Sequence, residues 1–151
     1  MFRKTILFCL CIAVAGLFIV PAIGAETETF DRVYDVSPGT IFEILNRDGS
    51  IDISGWDQSR IKINAVKKTR WGGKLENVTI EVSTGADFRV ETIHVVRNPK
   101  VSVDYDIKVP FNVIVKSVGT SNGAIELSGL KNLHDAERFS FFAFLAEIGY
   151  L

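Results

Sequence analysis

From Glu26 to about Leu130 the chain alternates apolar and polar residues with period two. Ile51 and Ile53 flank Asp52; Ile61, Ile63 and Ala65 alternate with Lys62 and Asn64. Val78, Ile80 and Val82 alternate with Thr79 and Glu81, and Val103, Tyr105, Ile107 and Val109 alternate with Asp104, Asp106 and Lys108. Successive side chains of an extended strand point to opposite faces, so each stretch presents one apolar and one polar side. Val, Ile and Thr dominate these stretches, and β-branched side chains suit a pleated surface. Turn signals separate them: Ser37-Pro38-Gly39, Asn46 to Gly49, Ser54-Gly55, Trp71-Gly72-Gly73, Thr84-Gly85, Asn98-Pro99, Ser121-Asn122-Gly123 and Ser128-Gly129. Short strands with turns at this spacing predict an all-β domain. No stretch between Glu26 and Leu130 has a persuasive helical period.

The region also echoes itself. Aligning Gly49 with Gly123 puts Ile51 on Ile125, Ile53 on Leu127 and Gly55 on Gly129. Both units read turn, small residue, apolar, acidic, apolar, Ser, Gly. A recurring short strand between glycines is what stacked β architectures need, because each layer buries its face only against its neighbours. The pattern predicts a short-strand β-helix or solenoid-like stack, with a β-sandwich as the alternative. Gly49, Gly55, Gly123 and Gly129 are expected to be structural turn glycines.

The two ends differ from the middle. Arg3 and Lys4 precede an apolar run from Ile6 to Val20, then Pro21 and the small-residue exit Ala22-Ile23-Gly24-Ala25. Charge, apolar core and small residues in that order predict a secretory signal peptide over 1–25, with cleavage after Gly24 or Ala25. An uncleaved membrane anchor is the alternative, although the run is shorter than the roughly 20 residues of a spanning helix. Both cysteines, Cys9 and Cys11, fall inside this segment. A mature chain would then have no disulfide, thiolate metal site or thiol nucleophile. Its stability would rest on its core alone, which suits a bacterial or archaeal envelope. Residues 26–130 form the predicted domain, and 131–151 form an atypical hydrophobic tail with Phe139, Phe141, Phe142 and Phe144.

Charge excludes one large class of function. The chain carries 17 basic and 18 acidic residues; without Arg3 and Lys4 the balance is 15 to 18. Lys67-Lys68-Thr69-Arg70, the densest basic cluster, is too short for nucleic-acid binding and reads as a solvated strand end or turn. Gly119-Thr120-Ser121-Asn122-Gly123 fits the nucleophile-elbow spacing, but that motif needs a helix after the Ser, and strand-like residues Ala124 to Leu127 follow. The triad order would leave His134 as the base, since His94 precedes Ser121. Asp48, Asp52 and Asp57 cluster around Gly49 without the spacing of a calcium loop. Asp104 and Asp106, two apart on one strand, lie within reach of a glycosidase pair, yet read more simply as a solvated face. Trp56 and Trp71 sit at turns, either lidding the core or stacking on a ligand at the surface. Asn77-Val78-Thr79 matches a glycan acceptor.

Taken in order, these pieces resemble a known family. The matching residues are Phe30 to Asn46, including Val36-Ser37-Pro38-Gly39; Asn46 to Gly55 followed by Trp56-Asp57; Ile61 to Ala65; Val103 to Pro110; and Ser121-Asn122-Gly123. Over roughly 30–130 the chain resembles the adhesin-type β-strand-repeat proteins, a domain of unknown function in exported bacterial and archaeal proteins, whose adhesin label is itself an inference. The resemblance implies an exported β-helix-like or sandwich-like scaffold without known catalytic residues. Such proteins usually carry further Asn-Gly units past the Leu130 position, where this chain runs into its Phe-rich tail. That departure is expected to mark an early stop or frame change, or else a natural apolar cap, helical from Asn132.

The resulting expectation is a non-catalytic exported scaffold acting as an envelope or surface interaction module. No cofactor and no metal are expected, and no nucleic acid. The partner would be a surface protein or glycan, with membrane contact only through an uncleaved signal segment. Trp56 and Trp71 are the candidate ligand contacts. An envelope hydrolase using Ser121, or Asp104 with Asp106, and a polysaccharide-binding module are the alternatives.

Overall fold

The computed structural model describes residues 25–131. Residues 1–24 of the predicted signal peptide and 132–151 of the Phe-rich tail, including His134, lie outside the described residues. Nine strands and one 3₁₀ turn follow in chain order: β1 (Thr27–Asp35), β2 (Ile41–Leu45), β3 (Ile51–Trp56), β4 (Arg60–Thr69), the turn Leu75–Asn77, β5 (Val78–Thr84), β6 (Asp87–His94), β7 (Val101–Pro110), β8 (Ile114–Gly119) and β9 (Ile125–Ser128). The fold is all-β, as the alternation predicts.

The strands form two sheets. One has the order β1-β4-β7-β3-β9 and the other β5-β6-β2-β8. Three segments cross from the second sheet to the first: β2 into β3, β6 into β7, and β8 into β9. Within the sheets β2 lies between β6 and β8, and β3 lies between β7 and β9, all four pairings parallel. Antiparallel strands extend the same side of both sheets, β5 on β6, and β4 and β1 beyond β7.

The internal echo is a spatial register. Ile51 opposes Ile125, Ile53 opposes Leu127 and Asp48 opposes Asn122, each pair 74 positions apart. The same offset runs back through Leu45 opposite Gly119 and Ile44 opposite Val118, until an irregularity between Phe42 and Glu43 shifts it by one. Like residues therefore stack on like through most of this register, with Leu45 on Gly119 the exception.

The core lies between the sheets, because inward side chains of both meet there. Phe42, Ile44, Ile53, Ile61, Ile63, Ala65, Val90, Val103, Ile107 and Val109 are all fully buried. Phe88 of β6 stacks on Phe42 at 5.9 Å and takes the edge of Tyr34 from the opposite sheet at 5.2 Å. The Tyr105 hydroxyl bridges the sheets to the Thr92 hydroxyl at 2.7 Å. Burial pushes that phenol up to about 12, against the opposing effect of the Thr92 hydrogen bond.

One turn signal is corrected. Ser54-Gly55 lies inside β3, with Gly55 opposite Val109. Glycine stands at 55 because a Cβ there would lie 2.1 Å from the Gly129 carbonyl oxygen, so close approach of a neighbouring layer, and not a turn, excludes a side chain.

Candidate functional site

The repeated turns form the corner where chain passes from one sheet to the other. Main-chain hydrogen bonding continues around it. Asn122 N–H donates to the Arg47 carbonyl at 2.8 Å, Gly49 N–H to the Asn122 carbonyl at 2.8 Å, and Val103 N–H to the Asp48 carbonyl at 2.7 Å. Side chains brace the same corner. Asn46 Nδ2 donates to the carbonyls of Val103 at 2.8 Å and Gly49 at 3.2 Å, and Thr120 Oγ1, its counterpart one layer on, donates to Gly49 at 3.0 Å. Asn46 Oδ1 is buried and has no partner among the described residues.

Two glycines let the layers close up. Gly49 has φ +120°, a region that side chains avoid. A Cβ on Gly123 would lie 2.0 Å from the Gly49 carbonyl oxygen. Gly129 ends β9 with φ +62°.

Asp104 belongs to the same corner. Its carboxylate accepts from Ser50 N–H at 3.0 Å, Ser50 Oγ at 3.1 Å and Lys68 Nζ at 2.8 Å. Burial opposes ionisation, but those three bonds and the Lys68 charge outweigh it and hold the carboxyl below its usual range. Asp106 instead joins a row of like charge: Asp106, Asp52 and Glu126 stand in register across β7, β3 and β9. Desolvation, then Glu126 and Asp106, raise the Asp52 carboxyl.

The other sequence candidates scatter. Ser121 is exposed in the bend between β8 and β9, strands of different sheets, and makes no hydrogen bond with His94. Asp48 accepts from Asn122 Nδ2 at 2.9 Å, while Asp52 lies on the outer face of β3. Among the described residues no group of three or more His, Cys, Asp or Glu is placed to hold a metal ion. Trp56 is half-buried, donates Nε1–H to the Arg60 carbonyl at 2.7 Å and carries Lys108 over its ring at 5.9 Å. Trp71 is 85% exposed, so it lids nothing.

What the sequence reading missed is a hollow beside the corner. Arg47, Asp48, Arg97 and Asn98 line one part of it, and Asp48, Asn98, Arg70 and Lys100 line the adjoining part. No local signal joins these residues, because they come from three separate segments. His94 lies nearby; burial and the charge of Arg47 lower its pKa against the opposing Asp48.

The fold and corner define a class: two-sheet β proteins whose parallel layers stack through glycine-bearing turns. Two solved structures are similar to this chain. One is described as a "putative cell adhesion protein" from Clostridium sporogenes ATCC 15579, at 14% identity and TM-score 0.37, covering 69% of this chain and 58% of that one. The other is described as a "putative adhesin" from Bacteroides fragilis NCTC 9343, at 14% identity and TM-score 0.40, covering 66% and 43%. The chain thus spans only about half the length of these neighbours. No family model matches the sequence, and no curated protein matches it. Among the described residues no helix is long and apolar enough to cross a membrane.

Proposed function

We propose that the chain is a non-catalytic exported β-scaffold, a short solenoid-like stack that serves as an interaction module at the cell envelope or surface. The observation carrying this reading is the use made of the polar residues at the repeat corner. Asn46, Thr120, Asn122 and Asp104 all hold one layer to the next. Ser121 has no helix behind it of the kind a nucleophile elbow requires. Asp104 is tied up by Ser50 and Lys68, which leaves it poorly suited to act as a general acid. Such a body offers partners its outer faces and loops.

The test uses the full chain, expressed with a C-terminal tag in a bacterial host. N-terminal sequencing of the exported form is expected to begin just after Gly24 or Ala25. Purified protein is expected to sediment with isolated cell-envelope material. It should show no turnover of chromogenic esters or glycosides that Ser121→Ala, or Asp104→Asn with Asp106→Asn, abolishes. Turnover lost in either variant would replace the scaffold with the hydrolase reading.

A further inference from the structure

Cations of the described residues sort by what they touch. Lys62, Lys67, Lys68, Lys74, Arg89 and Lys116 pair with carboxylates. Arg32, Lys108 and Lys131 lie over the rings of Phe30, Trp56 and Phe111. Arg60 donates to the Gln58 amide. The others are Arg47, Arg70, Arg97 and Lys100, none of which has an ion pair, ring or side-chain hydrogen bond among the described residues. All four line the hollow beside the corner. The one carboxylate there, Asp48, already accepts from Asn122.

The fold assembles this group by an insertion. Leu45 opposes Glu91, 46 positions on, whereas Ile51 opposes Tyr105, 54 positions on. The passage from β6 to β7 is therefore eight residues longer than the corner it stacks on. The extra chain swings Arg97 and Lys100 beside Arg47. Lys100 sits at φ +53°, the only non-glycine residue at positive φ among the described residues. Strain of this kind collects at functional sites. The Lys100 carbonyl accepts from Arg70 N–H at 2.6 Å and crowds Gly73 so closely that a Cβ there would be 2.3 Å away. That packing seats the turn Arg70 to Gly73 on the same rim and leaves Trp71 standing in solvent.

Four unpaired cations around a concavity repel one another and attract an anion. Guanidinium forks match carboxylate, sulfate and phosphate groups, and an exposed indole offers a flat apolar face for a sugar ring. We propose that this hollow binds an acidic polysaccharide, its anionic groups held by Arg47, Arg70, Arg97 and Lys100 and a ring stacked on Trp71. The inference rests on the interaction-module reading and names its ligand class.

The experiment is affinity electrophoresis of the full-length protein through gels containing polygalacturonate, neutral dextran or polyglutamate, with flotation on phosphatidylglycerol vesicles alongside. Polygalacturonate is expected to retard the protein and dextran is not. Arg47→Glu with Arg97→Glu, and separately Trp71→Ala, should each weaken retardation about tenfold. Arg32→Glu with Lys74→Glu makes the same change in net charge elsewhere and should stay close to wild type. Unfolding midpoints are compared for every variant, and Arg70→Gln with Arg97→Gln serves if the charge reversal does not fold. Equal weakening in the charge-matched control, a silent Trp71→Ala, or stronger retardation by polyglutamate or vesicles than by polygalacturonate overturns the assignment. If the Arg47 and Arg97 variant still sediments with envelope material like wild type, this site falls and the module stands. If wild type binds polygalacturonate but not envelope material, the module falls and the site stands.

Discussion

A single added carbon tests the corner. At Gly123 a methyl group would meet the Gly49 carbonyl oxygen at 2.0 Å, whereas at Gly85 it would meet nothing within 4 Å. The layers hold one another by main-chain bonds on both sides of this point, so neither can withdraw without breaking the ladder. Gly123→Ala is expected to destabilise by more than about 2 kcal/mol, and Gly85→Ala by no more than about 0.5 kcal/mol, in urea unfolding. Equal effects would show that the layers can move apart. The sequence marks Gly123 as special through its echo of Gly49. It does not distinguish the reasons: one glycine is needed for its φ, another for the space a neighbouring carbonyl occupies. Gly55 reads as a turn residue for the same cause, since close approach by a layer 74 positions away leaves no local trace.

At the scale of strands, charge is arranged differently on the two outer faces. On one sheet Glu43 lies between Arg89 at 3.5 Å and Lys116 at 2.9 Å, alternating in sign across β6, β2 and β8. On the other, Asp106, Asp52 and Glu126 stand side by side with one sign. Like charges directly opposed destabilise a sheet. Asp52→Asn is therefore expected to stabilise the fold by about 0.5 kcal/mol at pH 7. Because the folded-state pKa of Asp52 is raised, the penalty belongs to its ionised form. It is present above that raised value and fades as pH falls through it towards the ordinary carboxylate value of 3.8, so variant and wild type should converge in acid. Urea midpoints across that range check this, and a variant less stable than wild type at pH 7 would contradict it. Strands β3, β4, β5 and β7 were legible in the sequence because each turns one face to the core and the other to solvent, which demands clean alternation. Edge strand β1 was not: its positions carry Glu28, Asp31, Arg32 and Asp35, charges that protect an open edge and blur the period. The hollow was illegible for a related reason. Arg47, Arg70, Arg97 and Lys100 meet only once pairing on β7, parallel for β3 and antiparallel for β4, has placed their segments side by side.

For the molecule as a whole, β3 is central. It lies between β7 and β9, and its inward Ile53 is fully buried. Ile53→Ala is expected to cost ~2–5 kcal/mol, a large share of the ~5–15 kcal/mol typical of such a domain. Thermal unfolding should keep one transition at a lower midpoint, while Val33→Ala, on an edge and half exposed, should leave the midpoint nearly unchanged. Two separate transitions would mean that the sheets melt independently. The order of layers along the chain has a kinetic consequence. The middle layer, β2 with β3, emerges first during synthesis, yet the strands flanking β3 lie 54 and 74 residues downstream. Its two hydrogen-bonding edges stay open until most of the polypeptide has been made. Closing loops of that length costs entropy and slows folding, so both edges of this layer are satisfied only after the final strand has been made.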